Sequence, residues 1–152
     1  MNNKADLFPR FLAALIDSLI GWVFVVIPIV GAIVSVLYLL FKDALPYQVF
    51  KEDKWKNKSI GKEIMNIKIE YHQGEVVDMT VSAKRNIPLT IGSLITIIPL
   101  LGWVIGPIVG LIFAIIELVL IVTDSDSRRL GDRWGNTTVI ADEVLEAEEI
   151  QS

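Results

Sequence analysis

The residues of this chain that could do chemistry are ionisable side chains set in sequence otherwise suited to hydrocarbon. Asp17 is the one charge within residues 11–41, and Glu117 is the one charge within residues 87–123. Arg10, Lys42 and Asp43 stand at the edges of the first block, and Thr90 adds a hydroxyl to the second. An unpaired acid at the bilayer centre costs at least about 2.5–3.5 kcal/mol, so such residues face inward and find partners. Two chemistries fit. In one, the charges form a structural network, with Asp17 bonded to Arg10 or Lys42 and Glu117 kept neutral or tied to a serine or threonine. In the other, Asp17 and Glu117 share a low-dielectric cavity as a cation/proton site, where a proton is exchanged for Na+ or K+.

Other chemistries have little footing. The chain has no cysteine, which excludes disulfides, thiolate nucleophiles and cysteine zinc sites. Its single histidine, His72, reads as a solvated turn residue. Ser59–Lys62 ("SIGK") lacks the rest of a phosphate-binding loop, and there is no HExxH or GxSxG. No enzyme, cofactor, metal or nucleic-acid partner is expected.

The elements that must carry these side chains follow from composition. Of 152 residues 53% are hydrophobic, and they come in blocks of 31 and 37 rather than in periodic stripes. Runs above about 18 apolar residues read as transmembrane. The N-terminus lacks the basic region and cleavage site of a secretory signal, so the blocks are expected to be mature spans. One helix of 31 residues would be about 46 Å long, against a hydrocarbon core of roughly 30 Å. "VIPIVGAIV" (26–34) and "IIPLLGWVI" (97–105) share a Pro-apolar-apolar-Gly turn signal, which folds each block into a helical hairpin.

Charge supports the same answer. Fourteen Lys and Arg fall in three places: Lys4 with Arg10, the segment 42–85, and Arg128, Arg129 and Arg133. Four spans put all three on the cytoplasmic side, as the positive-inside rule requires, whereas two spans would divide them. The net charge of −4 comes from the acidic tail.

The expected fold is therefore an all-α integral membrane protein with four transmembrane helices in two helical hairpins. The helices are placed at about 7–27, 29–45, 86–101 and 106–123. The N- and C-termini and a loop at 46–85 are cytoplasmic. The transmembrane domain takes in 1–140, and 141–152 is an acidic C-terminal tail. The alternation Ile67-Lys68-Ile69-Glu70, broken near Gly74 and resumed at Val76-Val77, predicts a small β-hairpin in the central loop. Arg10 is expected to snorkel, Lys84 and Arg85 to anchor at headgroups, and Arg128 and Arg129 to meet anionic lipid. Gly102, Gly106 and Gly110 are spaced for close helix packing. Counted inward from the turns, Asp17, Lys42, Thr90 and Glu117 fall in one polar layer near mid-depth. Arg10 lies two turns from Asp17 on the same face.

Together, "RFLAALID" (10–17), "YLLFKDAL" (38–45), "SIGKEIMNIKI" (59–69) and "RRLGDRWGNTTVI" (128–140) resemble the RDD family of small membrane proteins. That family is named for one arginine and two aspartates. Arg10 and Asp17 match the first two, and Asp132 is the best match to the second aspartate, with Asp43 as the fallback. Family members commonly carry a histidine before that aspartate and "AGT" after it, where this chain has Gly131 and "GNT". The resemblance implies a multi-pass protein of the cell membrane, with transport, including monovalent cation/proton antiport, among the suggested activities. The other reading is a non-transporting membrane protein that binds and regulates another membrane protein. Four helices of this length make a thin bundle, so a homo-oligomer, a dimer forming the path, fits the transport reading.

Overall fold

The structure, a computed structural model, describes residues 5–24, 30–72 and 74–142. Helix α1 (Leu7–Phe24) opens with Pro9 in its first turn, where the missing N–H has no intrahelical partner to lose. Helix α2 (Val30–Phe41) ends in a turn at Lys42-Asp43-Ala44, and α3 (Leu45–Phe50) restarts with Pro46 near its N-terminus. A short 3-10 turn (Asp53–Trp55) leads to α4 (Ile60–Ile64), capped by Ser59, whose hydroxyl accepts from the Lys62 N–H. After strand β1 (Ile67–Tyr71), Asp78 caps α5 (Met79–Thr96) by accepting from the Val81 N–H at 2.7 Å. Then come α6 (Leu101–Thr123), α7 (Leu130–Gly135) and strand β2 (Thr137–Ala141).

Helix α1 packs on α2, α2 on α5, and α5 on α6, while α4 lies against α1 and α7 against α5. At 23 residues, α6 would be about 34 Å long. Among the described residues it is the one helix long and apolar enough to cross a membrane by length and composition. It meets α5 at glycines: a Cβ on Gly92 would come within 2.7 Å of the Gly110 backbone nitrogen and 2.6 Å of the Gly106 carbonyl oxygen. The glycine spacing in α6 thus lets the two backbones approach closely.

Several expected boundaries move. The helix expected at 29–45 ends at Phe41, because Lys42 and Asp43 leave the helix to reach buried partners. The helix expected at 86–101 runs Met79–Thr96, since the Asp78 cap starts it earlier. The helix expected at 106–123 begins at Leu101, because the chain reverses at Leu100 (φ 66°) and Gly102 and Gly106 are already helical. The turn at Pro28, the ends of the first two helices around it, Gln73 and the tail beyond Asp142 lie outside the described residues.

The predicted β-hairpin is corrected. β1 pairs antiparallel with β2, not with the segment after Gly74, in the register Ile67↔Ala141, Ile69↔Val139 and Tyr71↔Thr137. The Asn57 side chain takes up the backbone that the hairpin would have used. Its Nδ2 donates to the Glu75 carbonyl at 2.8 Å, and its Oδ1 accepts from the Val77 N–H at 2.7 Å. Ile67 and Val139 form a small core with Ala5 and Ala13, so the sheet is seated on α1.

Because the chain is free of cysteine, Lys68→Cys with Ile140→Cys should form a disulfide under mild oxidation, these residues being direct partners across the sheet. Lys68→Cys with Met79→Cys, which would be opposite each other across a two-residue turn at Gln73-Gly74, should not. The reverse result, read by mobility after cleavage between the pairs, would restore the local hairpin.

Candidate functional site

Three fully buried aspartates, each met by a cation, organise the interior. Asp132 lies in the first turn of α7, which brings its carboxylate back over the Arg129 N–H at 3.3 Å. Arg85 of α5 donates to it at 2.8 Å, Arg10 of α1 at 2.7 Å, and Arg129 Nε at 3.3 Å. Arg10 also donates to the Ser127 carbonyl. Gly131 makes the approach sterically feasible, because a Cβ there would run into the Arg85 carbonyl.

Asp43 is the second centre. Lys62 donates to it at 2.5 Å and Asn86 Nδ2 at 2.9 Å. Arg85 Nε stands 3.2 Å away, an ion pair without hydrogen-bond alignment. Asn86 Oδ1 in turn accepts from Arg129 at 3.1 Å, so the Asp43 and Asp132 centres are joined through both Arg85 and Asn86.

Asp17 is the third. Lys42 pairs with it at 2.9 Å, the Ser59 hydroxyl donates at 2.6 Å, and the Gly61 N–H donates at 2.8 Å. A Cβ on Gly61 would collide with the Ala13 carbonyl, so glycine lets α4 sit against α1 at this carboxylate. Ser59 and Gly61 of "SIGK" thus both donate to a buried acid.

The predicted residues are therefore apportioned differently from the single layer expected. Asp17 meets Lys42, one of the two partners expected for it. Arg10 is corrected: it turns to Asp132 rather than to Asp17 or the membrane surface. Glu117 is buried, and its Oε1 accepts from the Gly131 N–H at 3.2 Å rather than from a serine or threonine. Its Oε2 has no hydrogen-bond partner among the described residues. Asp17 and Glu117 thus go to separate partners instead of to each other. Thr90 is buried but bonds back to the Asn86 carbonyl of its own helix at 2.9 Å. Arg85 and Arg129, expected at headgroups, are buried. Lys62, Ser59, Asn86, Arg85 and Arg129 are the network residues that reading the sequence missed. Among the described residues no three of His, Asp and Glu converge as metal ligands.

Electrostatics keeps the aspartates outside the helical spans ionised. Burial alone would raise Asp43 and Asp132, but Lys62, Arg85 and Lys42 around the first outweigh it, as do Arg85, Arg129 and Arg10 around the second. Both lie well below the ordinary carboxylate range. A carboxylate depressed on folding contributes stability above its unfolded pKa of about 3.9, and that stability is lost as the pH falls. The melting temperature in detergent should therefore drop as the pH is taken below about 4; an unchanged melt at pH ~3 would contradict the pairing. Asp132→Asn leaves buried guanidiniums without their carboxylate and should cost about 3–5 kcal/mol, read as a large loss of melting temperature. A wild-type melt would contradict that.

Residues 4–136 match the sequence model of the RDD family, a span that contains Arg10, Asp17, Asp43 and Asp132. No curated protein and no solved structure matches the chain. With a match over most of its length and an apolar helix fit to cross a membrane, the chain belongs to the RDD family of membrane proteins.

Proposed function

We propose that the chain is a non-transporting, multi-pass protein of the cell membrane that binds and regulates another membrane protein, its buried charges being structural. The observation that carries this reading is the saturation of the three aspartates. Asp17, Asp43 and Asp132 each meet at least one cation and accept at least two hydrogen bonds from fixed donors. A carboxylate that ligates and releases a cation must be free to exchange partners, and these are locked into contacts between separate segments. Helix α6 supports the binding half of the proposal, since only 11% of its most apolar window is covered by the rest of the chain. That surface suits a partner helix as well as it suits lipid.

Cation/proton antiport through Asp17 and Glu117 is the second reading, and one observation favours it. Glu117 Oε2 is buried without a hydrogen-bond partner among the described residues, as a proton-exchanging group would be. Purified protein in liposomes holding a pH gradient separates the two. The structural reading predicts no dissipation on adding Na+ or K+. Dissipation by wild type that Asp17→Asn abolishes would overturn it in favour of antiport.

A further inference from the structure

The row of helices α1, α2, α5 and α6 leaves a groove of about 560 Å³ that is lined by both of its end members. Phe11 and Leu15 of α1 and Ile115 and Leu118 of α6 line it and are exposed, so its walls are apolar and open outward. The floor has the opposite character. Arg10, Lys42, Lys62, Arg85 and Arg129 all line the groove, with Glu117 as the one acid among them. Asp17, Asp43 and Asp132, which pair with these cations, do not line it. The groove therefore sees the cationic side of each ion pair.

Two observations show that charge in this layer is not closed from within. Among the described residues, the five cations face the three aspartates and Glu117, which leaves a positive excess whether or not Glu117 is ionised. Independently, Nη1 of the fully buried Arg85 has no hydrogen-bond acceptor among the described residues. A buried guanidinium N–H without an acceptor is unfavourable, and so is an uncompensated buried charge. An anion over the floor of the groove would offset the charge excess. The same positive floor disfavours a metal cation.

We propose that the groove binds an anionic phospholipid, with its phosphodiester over Arg85 and the neighbouring cations and an acyl chain between α1 and α6. The apolar walls select a lipid over a soluble anion, because a free phosphate would leave them uncovered. Planar guanidinium forks suit phosphate oxygens, and three of the five cations are arginines. A protonated Glu117 could donate to the same phosphate. This inference goes beyond the non-transporting reading and does not depend on it, since a lipid could sit here in a transporter as well.

The test uses the full chain in an uncharged detergent, titrated with palmitoyl-oleoyl phosphatidylglycerol, with phosphatidylcholine of the same acyl chains, and with inorganic phosphate. Native mass spectrometry and melting temperature are the readouts. The expected result is a one-to-one phosphatidylglycerol adduct preferred over phosphatidylcholine by at least about fivefold, the factor for one uncompensated cation near a lipid surface. Inorganic phosphate at the same concentration should neither stabilise the protein nor displace the lipid. Arg85→Ala bears on folding as well as on binding, so Ala114→Trp is the cleaner variant. Ala114 lines the groove and belongs to none of its ion pairs. That variant should melt as wild type without lipid and lose the adduct. Equal binding of the two lipids, equal stabilisation by phosphate alone, or an adduct undiminished in Ala114→Trp would each overturn the proposal.

Discussion

The carboxylate of Asp132 sits where guanidiniums from three separate parts of the chain meet: Arg10 from the first helix, Arg85 from α5 and Arg129 from its own segment. Sequence separations of 122 and 47 residues close at this one group. Burying four ionised side chains together is expensive in desolvation, and that expense is offset only if partners and hydrogen bonds are nearly complete. The arrangement is therefore all-or-none. Either the C-terminal segment is seated over α5 and α1, or several charges are stranded in a low-dielectric interior.

The other two aspartates extend the constraint. Asp43 holds the turn after α2 against α4 and α5 through Lys62, Arg85 and Asn86. Asp17 holds α4 against the middle of α1, with Lys42 joining from the end of α2. The family's arginine and its two best-matched aspartates therefore do not pair as one triad: Arg10 and Asp132 bond to each other, and Asp17 makes a separate contact. Each ties α1 to a segment outside it. Cation excess, rather than acid excess, is what remains facing the groove between α1 and α6.

Much of this was legible in the sequence, for a physical reason. A charge within an apolar run is conspicuous, so Asp17 and Glu117 stand out at once, and helix register counted from Asp17 and from the turns draws in Arg10 and Lys42. Basic residues at the edge of such a run are not conspicuous, because headgroup anchoring explains them equally well; Arg85 and Arg129 were hidden that way. Arg129 and Asp132 stand at i,i+3, a spacing that signals a capping contact, yet it names neither Arg10 nor Arg85 as further partners. The period-2 pattern of Ile67–Glu70 identified a strand, while its partner 70 residues onward left no local trace. Gly74 does turn the chain (φ 100°), which made the hairpin plausible, but Asn57 takes the backbone that would have paired. The start of α5 is hidden because its cap, Asp78, lies outside the apolar block.

Arg10 and Asp132 clamp the first helix to the C-terminal segment as a coupled buried pair, and a double-mutant cycle measures that coupling directly. Arg10→Gln, Asp132→Asn and the double variant would be melted in the same detergent. Coupled groups depart from additivity by about 0.5–3 kcal/mol. The double variant should therefore lose clearly less stability than the sum of the two singles, since each single strands the partner that the other removes. Losses that simply add would mean the two residues do not meet, and the clamp between the first helix and the C-terminal segment would not exist.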